Sequence, residues 1–288
     1  MSALTLPFRP ASSDKIDPVL VVLWLALIVI AAVWISPFLF IVFTSLKANS
    51  TVMGASAFAP PTDFAWGNFA AAWERGHFST TVVNSAIIAV IKVPLGLAIS
   101  AMAAYALSRI EFTGRRIVFF LIVFGTMIPF QVLLAPLFTL VNSFGLINTH
   151  VGVILPYLAF GIPYQVFVLH GFFKELPKEL SEAALIDGAS HFTIFWRIFL
   201  PLSLPVLAAL LILDFVATWN EFAMALVILQ DNGSWTLPLG LMSFQSQFAS
   251  DYGQLNAAIV MTVMPAVIVY MIFQRYFVSG LVSGAVKE

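Results

Sequence analysis

Apolar residues in this chain form long unbroken runs. They show neither the three-and-four spacing of a half-buried surface helix nor the strict alternation of a strand. Pro18 to Leu46 carries no charge, and between Arg75 and Arg109 the sole charged residue is Lys92. Ile117 to Phe173 contains no Asp, Glu, Lys or Arg, which is too long for one helix and suits two. Asn142-Ser143-Phe144-Gly145 and Asn148-Thr149-His150 supply the turn between them. A bilayer's hydrocarbon is crossed by about 20 apolar residues in helical form. Backbone groups there need partners close at hand, which a helix provides. The runs lack the apolar-polar dyads of a barrel strand. The pattern therefore predicts an all-α membrane protein. Its six transmembrane helices fall at about residues 18–46, 79–108, 117–141, 151–173, 202–229 and 254–274. An N-terminal tail covers 1–17, a polar segment 174–200 joins the fourth and fifth spans, and a C-terminal tail covers 276–288.

Composition agrees with this pattern and removes other classes. Of the 288 residues, 61% are hydrophobic and 9% charged. A soluble domain carries about 25% charged residues, so too little polar surface is present for one. Six spans leave no room for a separate soluble catalytic domain. The absence of cysteine removes disulfides, thiolate metal sites and cysteine nucleophiles. His77, His150, His170 and His191 are scattered with no His-Glu-x-x-His among them, so no metal site is expected. No lysine precedes Ser or Thr, which excludes a Walker A loop; any ATP and Mg must be held by another chain. A net charge of −1 gives no reason to bind nucleic acid.

The basic residues set a direction. With the N-terminus inside, Arg9, Lys15, Arg109, Arg115, Arg116, Lys174, Lys178, Arg197, Arg275 and Lys287 face the cytoplasm. Only Lys47 and Arg75 face outward, and Lys92 lies within the membrane. The bias predicts that both termini and the 174–200 segment are cytoplasmic.

That segment contains the most informative pattern. Pro177 suits a first helical turn. Leu176, Leu180, Ala183 and Ala184 fall on one helical face, with Lys178 and Glu179 elsewhere. Gly188 allows a sharp turn afterwards. By these features alone it is a short amphipathic helix, equally suited to lying on lipid. Its spacing is more specific: Glu182-Ala183-Ala184, three residues, Gly188, nine residues, Ile198, one residue, Leu200-Pro201. This resembles the EAA signature of ABC importer permeases. The resemblance implies a cytoplasmic coupling helix in which Glu182, Ala183, Ala184, Asp187 and Gly188 dock on an ATP-binding subunit. It also implies the partners: a second related permease, two ATP-binding subunits that hold ATP and Mg, and an extracytoplasmic solute-binding protein. The implied setting is the inner membrane.

Further stretches look like the carbohydrate-importer branch of that family: Pro61, Asn68-Phe69, Asn84-Ser85, Trp219-Asn220-Glu221-Phe222, Thr236 to Leu241, Asp251-Tyr252-Gly253 and the tail from Gly280 to Lys287. The implied cargo is a sugar or sugar derivative. By the same resemblance the Gly233–Gly253 loop reaches toward the binding protein, with Trp235, Phe244, Gln245 and Gln247 as candidate contacts. The alternative is an ordinary connector with aromatic residues anchored at the interface. Lys92 departs from the family pattern.

Charges at bilayer depth are costly, so Lys92, Asp214 and Glu221 must face protein or water. Asp214 and Glu221 are seven residues apart, on nearly one helix face with Thr218. Thr218, Trp219, Asn220 and Glu221 are candidates for the substrate path. Lys92 and Asp214 are candidates for an ion pair that joins helices. An ion-coupled secondary transporter using Lys92, Asp214 and Glu221 is the rival class.

Overall fold

The computed structural model describes residues 18–52, 58–244 and 251–285, with side chains for 19–52, 58–244 and 251–274. It is all-α, with no strand among the described residues. Helix α1 spans Pro18–Ser45, and a short amphipathic α2, Gly67–Arg75, follows the first connection. Helix α3, Phe78–Arg109, has 32 residues and a length of about 48 Å at 1.5 Å per residue. Next come α4, Arg115–Phe124, and α5, Phe130–Ser143. Helix α6 is His150–Glu175, started by the Thr149 hydroxyl, which accepts the Gly152 amide at 3.1 Å. The polar segment forms α7, Glu179–Ile186, and α8, His191–Ile194, which runs through a π turn at Phe195–Phe199 to Leu202. Helices α9, Leu204–Trp219, α10, Ala223–Ile228, and α11, Tyr252–Ala285, complete the chain.

Four helices, α1, α3, α6 and α11, are long and apolar enough to cross a bilayer by themselves. The regions expected as straight third and fifth spans are each broken. The helical stretches Arg115–Met127 and Phe130–Ser143 meet at 100°, and His191–Leu202 and Leu204–Trp219 at 75°. Proline explains both bends. Ile128, which precedes Pro129, is extended (ψ 116°), because the proline ring disfavours helical geometry in the residue before it. Pro201 and Pro205 flank Ser203, and Pro205 has no N–H to donate to the Pro201 carbonyl one turn earlier. The fifth span also stops at Trp219 rather than continuing to residue 229. The last helix contains the segment expected as the sixth span, 254–274, and runs on to Ala285. The expected N-terminal tail at 1–17 lies outside the described residues; of the expected C-terminal tail at 276–288, residues 276–285 continue the last helix and 286–288 lie outside the described residues.

The core is organised on α3 and α6, which pack along most of their length, while α9 packs on α11 and α1 lies against α11. Small residues allow the close approach. A Cβ on Gly96 would stand 3.3 Å from Leu158, and one on Gly161 only 3.0 Å from the Lys92 Nζ. Between the same helices the buried Ser100 hydroxyl donates to the Gln165 Oε1 at 2.8 Å.

Candidate functional site

Two places carry the chemistry that the sequence singles out. One is a cavity of about 530 Å³ between α3, the α4–α5 bend, α6 and the end of α9. Lys92, Asp214, Thr218 and Glu221 all line it, together with Thr126, Phe130, Gln131, Tyr157, Phe160 and Tyr164. Lys92 reaches it from α3 and Asp214 from α9, and the two form a buried ion pair with side chains 4% and 9% exposed. Gly161 makes room for that pair, since a Cβ there would stand 3.0 Å from the Lys92 Nζ and 3.3 Å from the Asp214 Oδ1. One Asp214 oxygen, Oδ2, is buried without a partner, so Oδ1 alone carries the contact.

Glu221 lies past the end of α9 and has different partners. Its carboxylate accepts the Tyr157 hydroxyl proton and the amides of Met224 at 2.8 Å and Ala225 at 3.1 Å. The break between α9 and α10 frees amide donors, and an acidic side chain at a helix start satisfies them. No hydrogen bond among the described residues links Glu221 to the Lys92–Asp214 pair. The three charges are therefore one ion pair and one helix cap, not a continuous relay.

Two candidates for the substrate path sit elsewhere. Trp219 is buried, stacks on Phe215 at 5.4 Å, and donates its indole N–H to the Thr262 carbonyl at 2.9 Å. Asn220 is exposed and donates to the Val216 carbonyl at 2.9 Å, closing the end of α9. Neither lines the cavity. Tyr157, Tyr164 and Gln131, which sequence reasoning did not single out, do. Their signal is present in retrospect: uncharged hydrogen-bonding side chains within the charge-free stretch from Ile117 to Phe173.

The loop candidates divide in the same way. Phe244 is 2% exposed and lies under the Arg75 guanidinium, 5.2 Å from the ring centre, so it belongs to the core and not to a reaching surface. Trp235 is half-buried against the α3–α6 core. Its carbonyl and that of Gly233 accept both Asn84 amide protons, at 2.9 and 3.0 Å. The Ser85 hydroxyl accepts the Leu237 amide at 2.7 Å. Asn84-Ser85 thus fastens the 233–237 loop to the start of α3. Gln245 and Gln247 lie outside the described residues.

The second place is α7. Glu182, Ala183, Asp187 and Gly188 are exposed, whereas Ala184 is half-buried and packs on the cluster around Phe173, Phe195 and Phe199. The helix ends in paired hydrogen bonds, Ala189 N–H to Ala184 C=O at 2.9 Å and Gly188 N–H to Leu185 C=O at 3.0 Å. Gly188 adopts φ +80°. This is the Schellman geometry, in which a left-handed residue, best glycine, follows the cap. The expected face of Leu176, Leu180, Ala183 and Ala184 is corrected. Leu176 and Ala184 pack inward beside buried Ser181, while Leu180 and Ala183 point away with Ile186, which is 86% exposed. Arg109, at the end of α3, donates to the carbonyls of Phe173 and Leu176 and lies over the Phe199 ring at 4.9 Å. It ties the base of α7 to the α3–α6 pair.

Comparison with known proteins gives a consistent answer. A family model described as the inner membrane component of binding-protein-dependent transport systems matches residues 96–283. A diacetylchitobiose uptake system permease protein of Streptomyces coelicolor is 35% identical over 283 residues, covering 96% of this chain and 91% of that one. A trehalose transport system permease protein of Mycobacterium tuberculosis is 35% identical over 253 residues, covering 87% and 92%. A solved bacterial ABC transporter that imports the acidic polysaccharide alginate superposes with TM-score 0.80 at 25% identity, covering 94% of this chain and 100% of that one.

Proposed function

The chain belongs to the inner membrane components of binding-protein-dependent transport systems, and from that premise we propose that it is one permease subunit of an ABC importer for a sugar or sugar derivative. The observation that carries the sugar assignment is near full-length similarity to permeases of saccharide uptake systems, joined to a cavity that fits such a cargo. Aromatic rings at Phe130, Tyr157, Phe160 and Tyr164 offer faces for a pyranose, and Gln131, Thr126 and Thr218 offer donors and acceptors for its hydroxyls. The subunit performs no covalent step. It works with a second permease, two ATP-binding subunits and a solute-binding protein that delivers the cargo.

Within that assembly α7 is the coupling helix. Leu180, Ala183 and Ile186 insert into an ATP-binding subunit, and Glu182 and Asp187 flank them. When the two ATPases close on ATP they move α7, and the connection from Arg109 to the carbonyls of α6 passes the displacement into α3 and α6. The cavity then changes the side to which it opens. The test has two arms. A cysteine pair joining position 186 to the groove of the cognate ATPase should cross-link in the assembled complex and abolish transport-coupled ATP hydrolysis. A sugar that raises the melting temperature of the cognate binding protein should be taken up in proteoliposomes only with ATP. Uptake driven by a proton gradient without the ATPases would overturn the reading in favour of a secondary transporter.

A further inference from the structure

We propose that the basic cavity where α3, α4 and α6 converge holds the phosphate of an anionic glycerophospholipid. The cavity has a volume of about 430 Å³ and is lined by Leu107, Arg115, Arg116, Phe119, Phe120, His170 and Lys174. No carboxylate contributes to the lining. His170 is 7% exposed and stacks on Phe119 at 4.0 Å, so the inner wall is fixed. The inference rests on the chain's being a membrane component and not on its cargo.

The neighbouring cation shows what is unusual here. Arg109 is committed to the Phe173 and Leu176 carbonyls and to the Phe199 ring. The side chains of Arg115, Arg116 and Lys174 have no hydrogen bond or ion pair with any described residue. Arg115 and Arg116 border Glu111 on their other side, but no carboxylate faces the recess itself, where the three cations repel one another and an anion removes that repulsion. Helix α4 adds to the attraction. Its N-cap, Gly114, is left-handed and no side chain caps the helix, so the first turn that carries Arg115 and Arg116 keeps the positive end of the helix uncapped beside them. Arginine forks and a lysine ammonium together match phosphate oxygens.

A second observation selects a lipid over a free phosphate. Immediately after the two arginines, Ile117, Phe120, Leu121 and Phe124 are 66%, 68%, 68% and 60% exposed. The basic mouth therefore stands where the apolar flank of α4 begins, at the depth of a headgroup whose acyl chains cover that flank. Basic pockets between spans at the cytoplasmic boundary suit anionic headgroups.

The test uses the assembled permease complex and native mass spectrometry with phosphatidylglycerol and phosphatidylcholine. Phosphatidylglycerol should be retained and phosphatidylcholine lost. Arg115→Gln with Lys174→Gln should weaken retention by about 30-fold, from the worth of two charges near anionic lipid. Arg197→Gln, an exposed cation outside the cavity, should leave it unchanged. Photo-labelling of the wild-type complex with a phosphatidylglycerol carrying a diazirine near its phosphate removes any dependence on variant folding. Label within residues 107–120 or 170–174 supports the site, and label confined to other segments overturns it. Equal retention of the two lipids, or unchanged retention in the double variant, also overturns it. Displacement of the lipid by millimolar inorganic phosphate would reassign the site to a free anion.

Discussion

Helices α1 and α3 have similar lengths and are both strongly apolar, yet their surroundings are opposite. Helix α1 is the more apolar of the two, and none of its central window is buried within the chain, against 44% for α3. Only Thr44 and Ser45, at its very end, are enclosed. Helix α3 carries Asn84, Ser85, Lys92, Gly96 and Ser100, and all five are buried. In water the more apolar helix goes inside. In a bilayer, lipid already satisfies apolar side chains, so burial follows polar groups that need partners and small residues that allow close packing. Hydropathy thus finds both helices but ranks their burial in the wrong order.

The largest effect should come from the charges that hold α3 in place. Lys92→Met or Asp214→Leu alone leaves one buried ion without its partner, at a cost of about 3–5 kcal/mol. Unfolding of the purified subunit in graded detergent should show it. The double replacement should regain most of that loss; if it is as unstable as either single change, the pair does not explain why α3 is enclosed. An intermediate effect should follow Gly161→Val, which forces a side chain into the space beside Lys92 and should cost about 1–3 kcal/mol by overpacking. The smallest effect belongs to α1. Leu27→Ala and Trp34→Ala should change the stability of the single subunit by less than about 0.5 kcal/mol, since both side chains are exposed. A larger loss in the single subunit would break the contrast between the two helices.

What could be read from the sequence divides along similar physical lines. The positions of the long apolar helices follow from the charge-free apolar runs alone, because the bilayer imposes one solution on the backbone. The Glu-Ala-Ala spacing is equally local: Ala184 accepts the closing hydrogen bond and Gly188 supplies the left-handed residue, so cap geometry relates them. Which face of α7 turns inward is not local. Leu180 and Ala184 are one turn apart and both apolar, and only the packing of Phe173, Phe195 and Phe199 decides between them. The Lys92–Asp214 pair, in contrast, is legible, because a lone cation at bilayer depth needs an acid; what the sequence hides is that Glu221 accepts from the Tyr157 hydroxyl and two amides. Trp219 misleads for a related reason. An indole beside a polar stripe suits a sugar path, but its N–H meets the Thr262 carbonyl of a helix more than 40 positions later.

The ion pair also has a history in time. Lys92 and Asp214 are 122 positions apart in the chain. At about 5–20 residues per second, the ribosome needs roughly 6–24 s to add the second after the first. During that interval α3 resides in the membrane with an unmatched ammonium, which a lysine stem can carry to the nearer headgroups. Asp214 on α9 then supplies the counter-charge beside Gly161. A chain released before residue 214 retains an uncompensated cation in the bilayer, a mark by which an unfinished subunit differs from a complete one.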